Sequence, residues 1–310
     1  MAPSSRDGSS TSPTTPSPSS RRSPRGPSGS GSPGSTVPTR RVLRELAGRH
    51  GIRPRKALGQ HFLADPNLAR AIAREAGAGP GTRVLEIGAG LGSLTVALAE
   101  AGAEVLAVEV DPRLVAALEE LVAGLPGVRV LRGDALAMDW PDVLGAGAWR
   151  MASNLPYNVA VPVVVELLER APRVDPLVVM VQREVGERLA AAAGTEPYGA
   201  VSVRVVYRAR VRVVRRVRPS VFWPEPNVES VIIRLDRRPP PVAVPEEALF
   251  RLVAEGFAQR RKTLAAALVR MGMAREEARE ALVGAGLDPS VRAEALGLEE
   301  LARVVEVIGG

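Results

Sequence analysis

The sequence predicts an α/β fold: an open, largely parallel sheet with helices on its faces, followed by a small C-terminal all-helical domain. Three observations carry that expectation. Between residues 83 and 182, short apolar segments of strand length alternate with longer segments of helical period, the pattern of a doubly wound sheet. The first of these strands runs into a glycine turn and then a helix, the unit that opens nucleotide-binding sheets. At Arg237-Arg238-Pro239-Pro240-Pro241 the pattern breaks, and residues 246–308 turn to Ala, Leu, Glu and Arg with helical spacing.

Residues 1–40 are Ser, Pro, Gly, Thr and Arg with almost nothing apolar. Such a stretch cannot bury enough surface to offset its ordering entropy, so a disordered tail is expected there. It lacks the apolar centre of a secretory signal, and its Pro and Gly oppose the amphipathic helix of a transit peptide. The tail also distorts the charge. It holds five arginines and one acid, Asp7, so of the net +7 only +3 belongs to the body. A polyanionic partner must therefore be argued from where the charges lie. With no cysteine and only His50 and His61, disulfides, thiolate zinc sites and histidine-rich centres are excluded, and no metal is expected. The lack of cysteine fits a reducing, cytoplasmic setting. No apolar run approaches the ~20 residues of a membrane span.

The expected body starts near Arg41 and runs to Arg238, with a linker and helical domain over 239–310. Val42, Leu43, Leu46 and Ala47 have helical spacing that ends at Gly51. Asp65-Pro66 reads as an N-cap with proline in the first turn of a helix that reaches about Ala76. Arg83-Val84-Leu85-Glu86-Ile87 is a buried-strand pattern leading into Gly88-Ala89-Gly90-Leu91-Gly92 and a helix over Ser93–Glu100. Glycines allow the tight turn and the close approach of a ligand, and the helix start offers free N–H groups. The third glycine of a dinucleotide fingerprint would fall at position 93, which is serine. That departure disfavours NAD and favours S-adenosylmethionine, which has no pyrophosphate to cradle.

Two acids follow the next two strands. Glu109 ends Val105–Val110, 21 residues after Gly88, where a carboxylate would accept from both ribose hydroxyls. Asp134 follows Val128–Leu131, placed to accept from an adenine amino group. Either could be an ordinary surface acid, but the repeated position after a strand favours a site. Asp111-Pro112 caps the helix between them.

A fourth strand, from Trp149, leads into Ser153-Asn154-Leu155-Pro156-Tyr157. Within four residues lie an amide, a carbonyl followed by no N–H, and an aromatic ring. That set suits a planar base with an exocyclic amine; taken alone, the five residues are better read as a β-turn. A helix over 161–170, a fifth strand over 177–182 and a charged helix over 183–189 follow, then a loop at Gly194–Gly199 and strands at 211–217 and 228–235. Between those last strands, Phe222-Trp223-Pro224-Glu225-Pro226 is a stiff extended loop able to fix Phe222. Arg204, Arg208, Arg210, Arg212, Arg215, Arg216 and Arg218 are seven arginines in fifteen residues with no acid. They fit a solvated strand face or a groove for a phosphate backbone. Gln259-Arg260-Arg261-Lys262-Thr263 is a second basic patch, a solvated helix face or an RNA contact.

Taken together, these motifs resemble one family. Leu58-Gly59-Gln60-His61-Phe62-Leu63, Glu86 to Gly92, Glu109-Val110-Asp111, Gly133-Asp134-Ala135 and Asn154-Leu155-Pro156-Tyr157 occur in the order and spacing of the rRNA adenine N6,N6-dimethyltransferases. Gln182-Arg183-Glu184-Val185, Tyr198-Gly199, Phe222-x-Pro224-x-Pro226 and Arg260 to Leu264 resemble its KsgA-type, small-subunit branch. The likeness covers roughly residues 41–305.

It implies a Rossmann-like class I methyltransferase domain with S-adenosylmethionine held by His61, Leu63, Gly88, Gly90, Glu109, Asp134 and Asn154. It also implies catalysis at Asn154, Leu155, Pro156 and Tyr157, with Tyr157 and Phe222 sandwiching the base. Arg212, Arg215, Arg260, Arg261 and Lys262 would hold RNA. The substrate so implied is a pair of adjacent adenosines in the 3′-terminal hairpin loop of small-subunit rRNA, reached by a monomer within an immature small ribosomal subunit. The alternatives are the antibiotic-resistance branch acting on large-subunit rRNA, a non-catalytic ribosome-assembly factor, and a DNA adenine methyltransferase. At position 225 the resemblance leads one to expect a residue less acidic than glutamate.

Overall fold

The computed structural model describes residues 37–55 and 59–309. The expectation for the tail up to residue 36 falls outside them, as do Lys56, Ala57 and Leu58.

Helix α1 (Arg40–Arg49) and a two-residue strand β1 (Phe62–Leu63) precede α2 (Pro66–Glu75). The alternating part follows as β2 (Arg83–Ile87), α3 (Ser93–Glu100), β3 (Glu104–Glu109), α4 (Pro112–Val122), β4 (Val128–Arg132), α5 (Trp140–Leu144), β5 (Trp149–Asn154), α6 (Ala160–Arg170) and β6 (Val174–Gln182). Next come α7 (Arg183–Leu189), α8 (Ala200–Arg208), β7 (Ala209–Val217), β8 (Phe222–Trp223) and β9 (Ser230–Arg237). The chain closes with α9 (Glu246–Ala258), α10 (Leu264–Arg270), α11 (Arg275–Gly284) and α12 (Leu298–Gly309).

Seven strands form one sheet in the order β4-β3-β2-β5-β6-β9-β7. The first five are parallel, and β9 runs antiparallel to both β6 and β7. Parallel strands covered on both faces must be apolar throughout, and β3 and β6 read that way: Val105 to Val108 and Leu177 to Val181 are all buried. The caps act as the sequence suggests. Asp65 accepts from the N–H groups of Asn67 and Leu68 at 2.8 and 3.0 Å, and Asp111 from that of Arg113 at 2.9 Å.

Three expectations change. Order begins before Arg41: Val37 is 1% exposed and its N–H donates to Glu100 Oε1 at 3.0 Å. One apolar residue at the end of a polar stretch is enough to seat it on the core. The arginine run is not a single strand face, because Arg204 and Arg208 lie on α8 and pair with Glu169 and Glu246. The segment is rich in β-branched residues, but Ser202 caps it by accepting from Gly199 N–H while donating to the Arg188 carbonyl. Finally, the C-terminal helical core starts before residue 239. Ala191, Tyr198, Val203 and Tyr207 are buried with Leu249, Leu264 and Leu301, so α8 belongs to both layers.

Arg237 closes the sheet against α6. Its guanidinium donates to the carbonyls of Leu167, Leu168, Ala171 and Val174 at 2.6 to 3.0 Å. These carbonyls lie at the end of α6 and its exit; those of Leu167 and Ala171 also accept from the N–H groups of Ala171 and Val174, whereas Leu168 faces Pro172, which has no N–H. Arg237→Ala removes its N–H donors from four carbonyls, two of which keep a backbone N–H, and is expected to cost ~1–3 kcal/mol, read as a lower denaturant midpoint at unchanged slope. A shift below ~0.5 kcal/mol would mean that water replaces the arginine.

Candidate active site

The strand order reverses between β2 and β5, with β3 and β4 to one side and β6, β9 and β7 to the other. Ligands of open α/β sheets bind in the crevice beyond the carboxyl ends of the strands at such a switch. A cavity of about 250 Å³ opens there. Its wall includes His61, Leu63, Gly88, Gly90, Glu109, Asn154, Leu155, Pro156 and Tyr157. Nine of the residues singled out from sequence thus come together from four separate stretches of chain.

Gly88 follows β2 at φ 70°. A Cβ there would lie 2.9 Å from Pro156 Cδ, so the two loops of the switch touch only because this side chain is absent. Gly88→Ala combines that overlap with a left-handed backbone and is expected to cost ~1–3 kcal/mol of stability and to weaken cofactor binding, checked by unfolding and calorimetric titration. An alanine variant that binds normally would show the close approach to be dispensable.

Glu109 ends β3 and is 6% exposed. Its Oε2 accepts from Gly90 N–H at 2.9 Å, and its Oε1 from the N–H groups of Val110 and Asp111 at 2.9 and 3.1 Å. Burial pushes this carboxyl above its ordinary range, and the three N–H donors pull it back. The acid therefore locks the glycine loop to β3, with three N–H donors on its roughly four lone-pair sites. The serine that replaces the third glycine holds the same corner together. Ser93 Oγ donates to the Leu63 carbonyl at 2.6 Å, clamping β1 over the start of α3.

At the end of β5, Ser153 Oγ accepts from Ile87 N–H at 2.9 Å, joining the two switch strands. Asn154 Nδ2 donates to the His61 carbonyl at 3.0 Å. A carbonyl only accepts, so the amide orientation is settled, and Oδ1, with no donor among the described residues, is the other end of a side chain that lines the cavity. Leu155 N–H donates to the Met180 carbonyl at 3.2 Å. Its own carbonyl, followed by Pro156, meets no donor among the described residues. The Tyr157 hydroxyl is 2.8 Å from Ser230 Oγ, and burial raises its pKa. Its ring lies 5.3 Å from that of His61, tilted 32°. His61 Nδ1 is 2.8 Å from the Pro224 carbonyl, which fixes the proton on Nδ1.

Glu86 also lines the cavity; the sequence reading places it at the start of the glycine motif but gives it no role in the site. It is 2% exposed, it accepts from Thr95 Oγ1 at 2.6 Å, and burial pushes its pKa up to about 8. An acid inside an otherwise apolar strand was the available signal.

Phe222 stands away from the cavity, and Asp134 beyond its wall on the same sheet edge. Phe222 is fully buried and offers no face to a base. β8 pairs with β1 so that Phe222 lies opposite Leu63 and Trp223 opposite Phe62. Strand alternation then sends Phe222 into the core with Leu63 and Val217, and Trp223 to the opposite face, half-buried against Phe62 and α1. Asp134 is exposed on the same sheet edge after β4, outside the cavity wall, with Oδ1 accepting from Leu136 N–H at 3.0 Å.

The basic residues divide similarly. Arg212 is spent on an ion pair with Glu75 at the end of α2, which argues against its RNA contact. Arg260 pairs with Glu294 at 3.1 Å and donates to the Glu196 carbonyl. Arg261 and Lys262 are exposed in the turn between α9 and α10 rather than on a helix face. Arg215 is exposed and in register with Ile232, Met180 and Asn154. It therefore stands level with the site, three strands or roughly 14 Å away. Among the described residues no His/Cys/Asp/Glu group could hold a metal, and no helix is long and apolar enough to cross a membrane.

The family model described as ribosomal RNA adenine dimethylase matches residues 51–309. The chain belongs to the ribosomal RNA adenine dimethylase family. Among its relatives is the ribosomal RNA small subunit methyltransferase A of Moorella thermoacetica, 44% identical over 82% of this chain and 92% of that one. The protein of the same name from Thermobifida fusca is 46% identical over 85% and 93%. Of solved structures, the 23S rRNA methyltransferase ErmE superposes with TM-score 0.63 at 27% identity, over 80% of this chain and 100% of that one. A dimethyladenosine transferase from Plasmodium falciparum, at 24% identity and TM-score 0.64, covers 79% and 96% and speaks to the fold alone. As a ribosomal RNA adenine dimethylase the protein is a methyltransferase that uses S-adenosylmethionine, and the cavity suits that group. It has a glycine turn at Gly88 that a Cβ would crowd, a strand-end carboxylate with about one lone-pair site left, and serine where the third glycine of a dinucleotide turn would stand.

Proposed function

We propose that the protein dimethylates N6 of two adjacent adenosines in the 3′-terminal hairpin loop of small-subunit rRNA. It acts as a monomer on immature small ribosomal subunits in the cytoplasm. Identity of 44–46% to small-subunit methyltransferases, against 27% to the large-subunit enzyme ErmE, supports the choice of subunit.

The observation that carries the chemistry is the Asn154 amide, tied through Nδ2 to the His61 carbonyl. Adenine N6 is a poor nucleophile because its lone pair is delocalised into the ring. Asn154 Oδ1 and the Leu155 carbonyl, both accepting from the amine, draw the nitrogen toward tetrahedral geometry and aim its lone pair. Tyr157 holds the base by stacking, worth ~1–3 kcal/mol. Bound S-adenosylmethionine supplies a methyl group already activated by its sulfonium. Glu109 holds the ribose, and Asp134 at the neighbouring strand end reaches the cofactor's adenine. The protein's part is positioning and electrostatics, and the amine proton leaves to solvent. Arg215, Arg261 and Lys262 take phosphates without reading bases.

Incubation with labelled S-adenosylmethionine and immature small subunits, followed by mapping of the methylated nucleotides, tests this reading. Two adjacent dimethyladenosines in the terminal hairpin loop are expected. Label in protein-free large-subunit rRNA, with small subunits ignored, would move the protein to the resistance branch.

A further inference from the structure

The glutamate at position 225 is matched from an unexpected direction. Arg40 Nη1 lies 3.1 Å from Glu225 Oε1, and Arg40 Nη2 donates to the Ser220 carbonyl. One turn later the Arg44 guanidinium sits 5.7 Å from the centre of the Trp223 ring. Two arginines on one face of α1 thus grip the segment from Pro219 to Pro226. The far end of α1 is fixed to α4, where Arg49 Nε and His50 Nε2 meet the Glu120 carboxylate at 3.0 and 2.6 Å. Between these ends Leu43, Leu46 and Ala47 pack on Phe62, Leu91 and Leu114, three residues of the cavity wall. The gripped segment is tied inward as well. His61 Nδ1–H donates to the carbonyl of Pro224, the neighbour of Glu225, and the His61 carbonyl takes the Asn154 amide.

We infer that Arg40, through its pair with Glu225, is a positioning residue for methyl transfer: it holds Pro224 against His61 and so sets the Asn154 amide. The inference rests on the reading of Asn154 as the amine acceptor. Arg40 does not line the cavity, and its pair is half exposed, so the ion pair alone contributes little. Its effect comes from what it places, since a ~1 Å displacement at a reacting group costs up to ~100-fold in rate. The same pairing accounts for an acid at position 225, and it recruits an arginine from the last position of the polar N-terminal stretch.

The test compares Arg40→Glu, Glu225→Arg and the double exchange in the full chain. It measures kcat and KM on immature small subunits, cofactor affinity by calorimetry, and Tm. Each single reversal is expected to lower kcat ~10-fold at unchanged cofactor affinity and Tm, and the double exchange to recover part of the loss, because it restores the ion pair but not the donor to the Ser220 carbonyl. Single variants with normal kcat would overturn the inference. So would a double exchange as slow as the singles, or a Tm and cofactor affinity that fall in step with kcat. Asn154→Ala is run alongside. If it is inactive while Arg40→Glu is normal, only the role of Arg40 falls; if it is active, the acceptor reading itself falls.

Discussion

Replacing Asn154 by alanine is expected to lower kcat by ~10²–10³-fold, the usual loss when one group aimed at a developing charge is removed. Cofactor affinity should change only a few-fold, because Gly88, Gly90 and Glu109 line the same cavity from β2 and β3. Asn154→Asp separates two contributions. Aspartate keeps an acceptor oxygen but has no N–H to give the His61 carbonyl, which now takes the amide at 3.0 Å. Two acceptors would face each other and the side chain would turn away. The aspartate variant is therefore expected to be nearly as slow as the alanine variant, although it keeps the oxygen. Single-turnover methylation of immature subunits with both variants measures this. If aspartate worked at near wild-type rate, orientation by His61 would not matter. If alanine kept more than a tenth of the rate, Asn154 would not be the acceptor.

Glu86→Gln is expected to stabilise the protein, and more so as pH rises. The Glu86 carboxyl is pushed from 4.5 to about 8, chiefly by burial, with Glu109 adding to the rise and Thr95 opposing it. Below about pH 4.5 the group is neutral in both folded and unfolded chains. Between there and about 8 the unfolded chain loses the proton while the folded chain keeps it, so stability falls by up to ~1.4 kcal/mol per pH unit. Above about 8 the loss is complete, on the order of 5 kcal/mol. Glutamine keeps a partner for Thr95 and has no charge to bury. Denaturant unfolding of both proteins at pH 5.5, 7 and 8.5 should show the gap widening with pH. Parallel curves would mean that Glu86 does not titrate in this range. A cation in the same cavity favours the ionised carboxylate, so S-adenosylmethionine affinity of the wild type should rise with pH toward 8 and that of the glutamine variant should not.

Much of the site was legible in the chain because its parts are local. A glycine run after an apolar strand, an acid at a strand end, and an amide beside an X-Pro carbonyl each declare themselves within a few residues. What they do to one another was not legible. Nothing near Glu109 in sequence says that it receives the Gly90 N–H, and nothing near His61 says that it orients Asn154, 93 residues away. Phe222 shows the limit most clearly. Its motif is local, but which way its ring points depends on pairing with Leu63, a partner 159 residues distant. A one-residue difference in register would have sent it to the other face. Arg212 and Arg204 lost their expected freedom for a similar reason, since Glu75 and Glu169 are remote in the chain and adjacent in space.

Hydrophobic periodicity and turn chemistry, both short-range properties, thus determined the α/β class, the glycine cradle and the set of residues Ser153 to Tyr157. The tertiary structure alone decided which lone pairs and rings face the cavity, because orientation depends on hydrogen bonds between segments far apart. Those bonds exist only after the sheet has brought β2 beside β5 and folded β1 back over both.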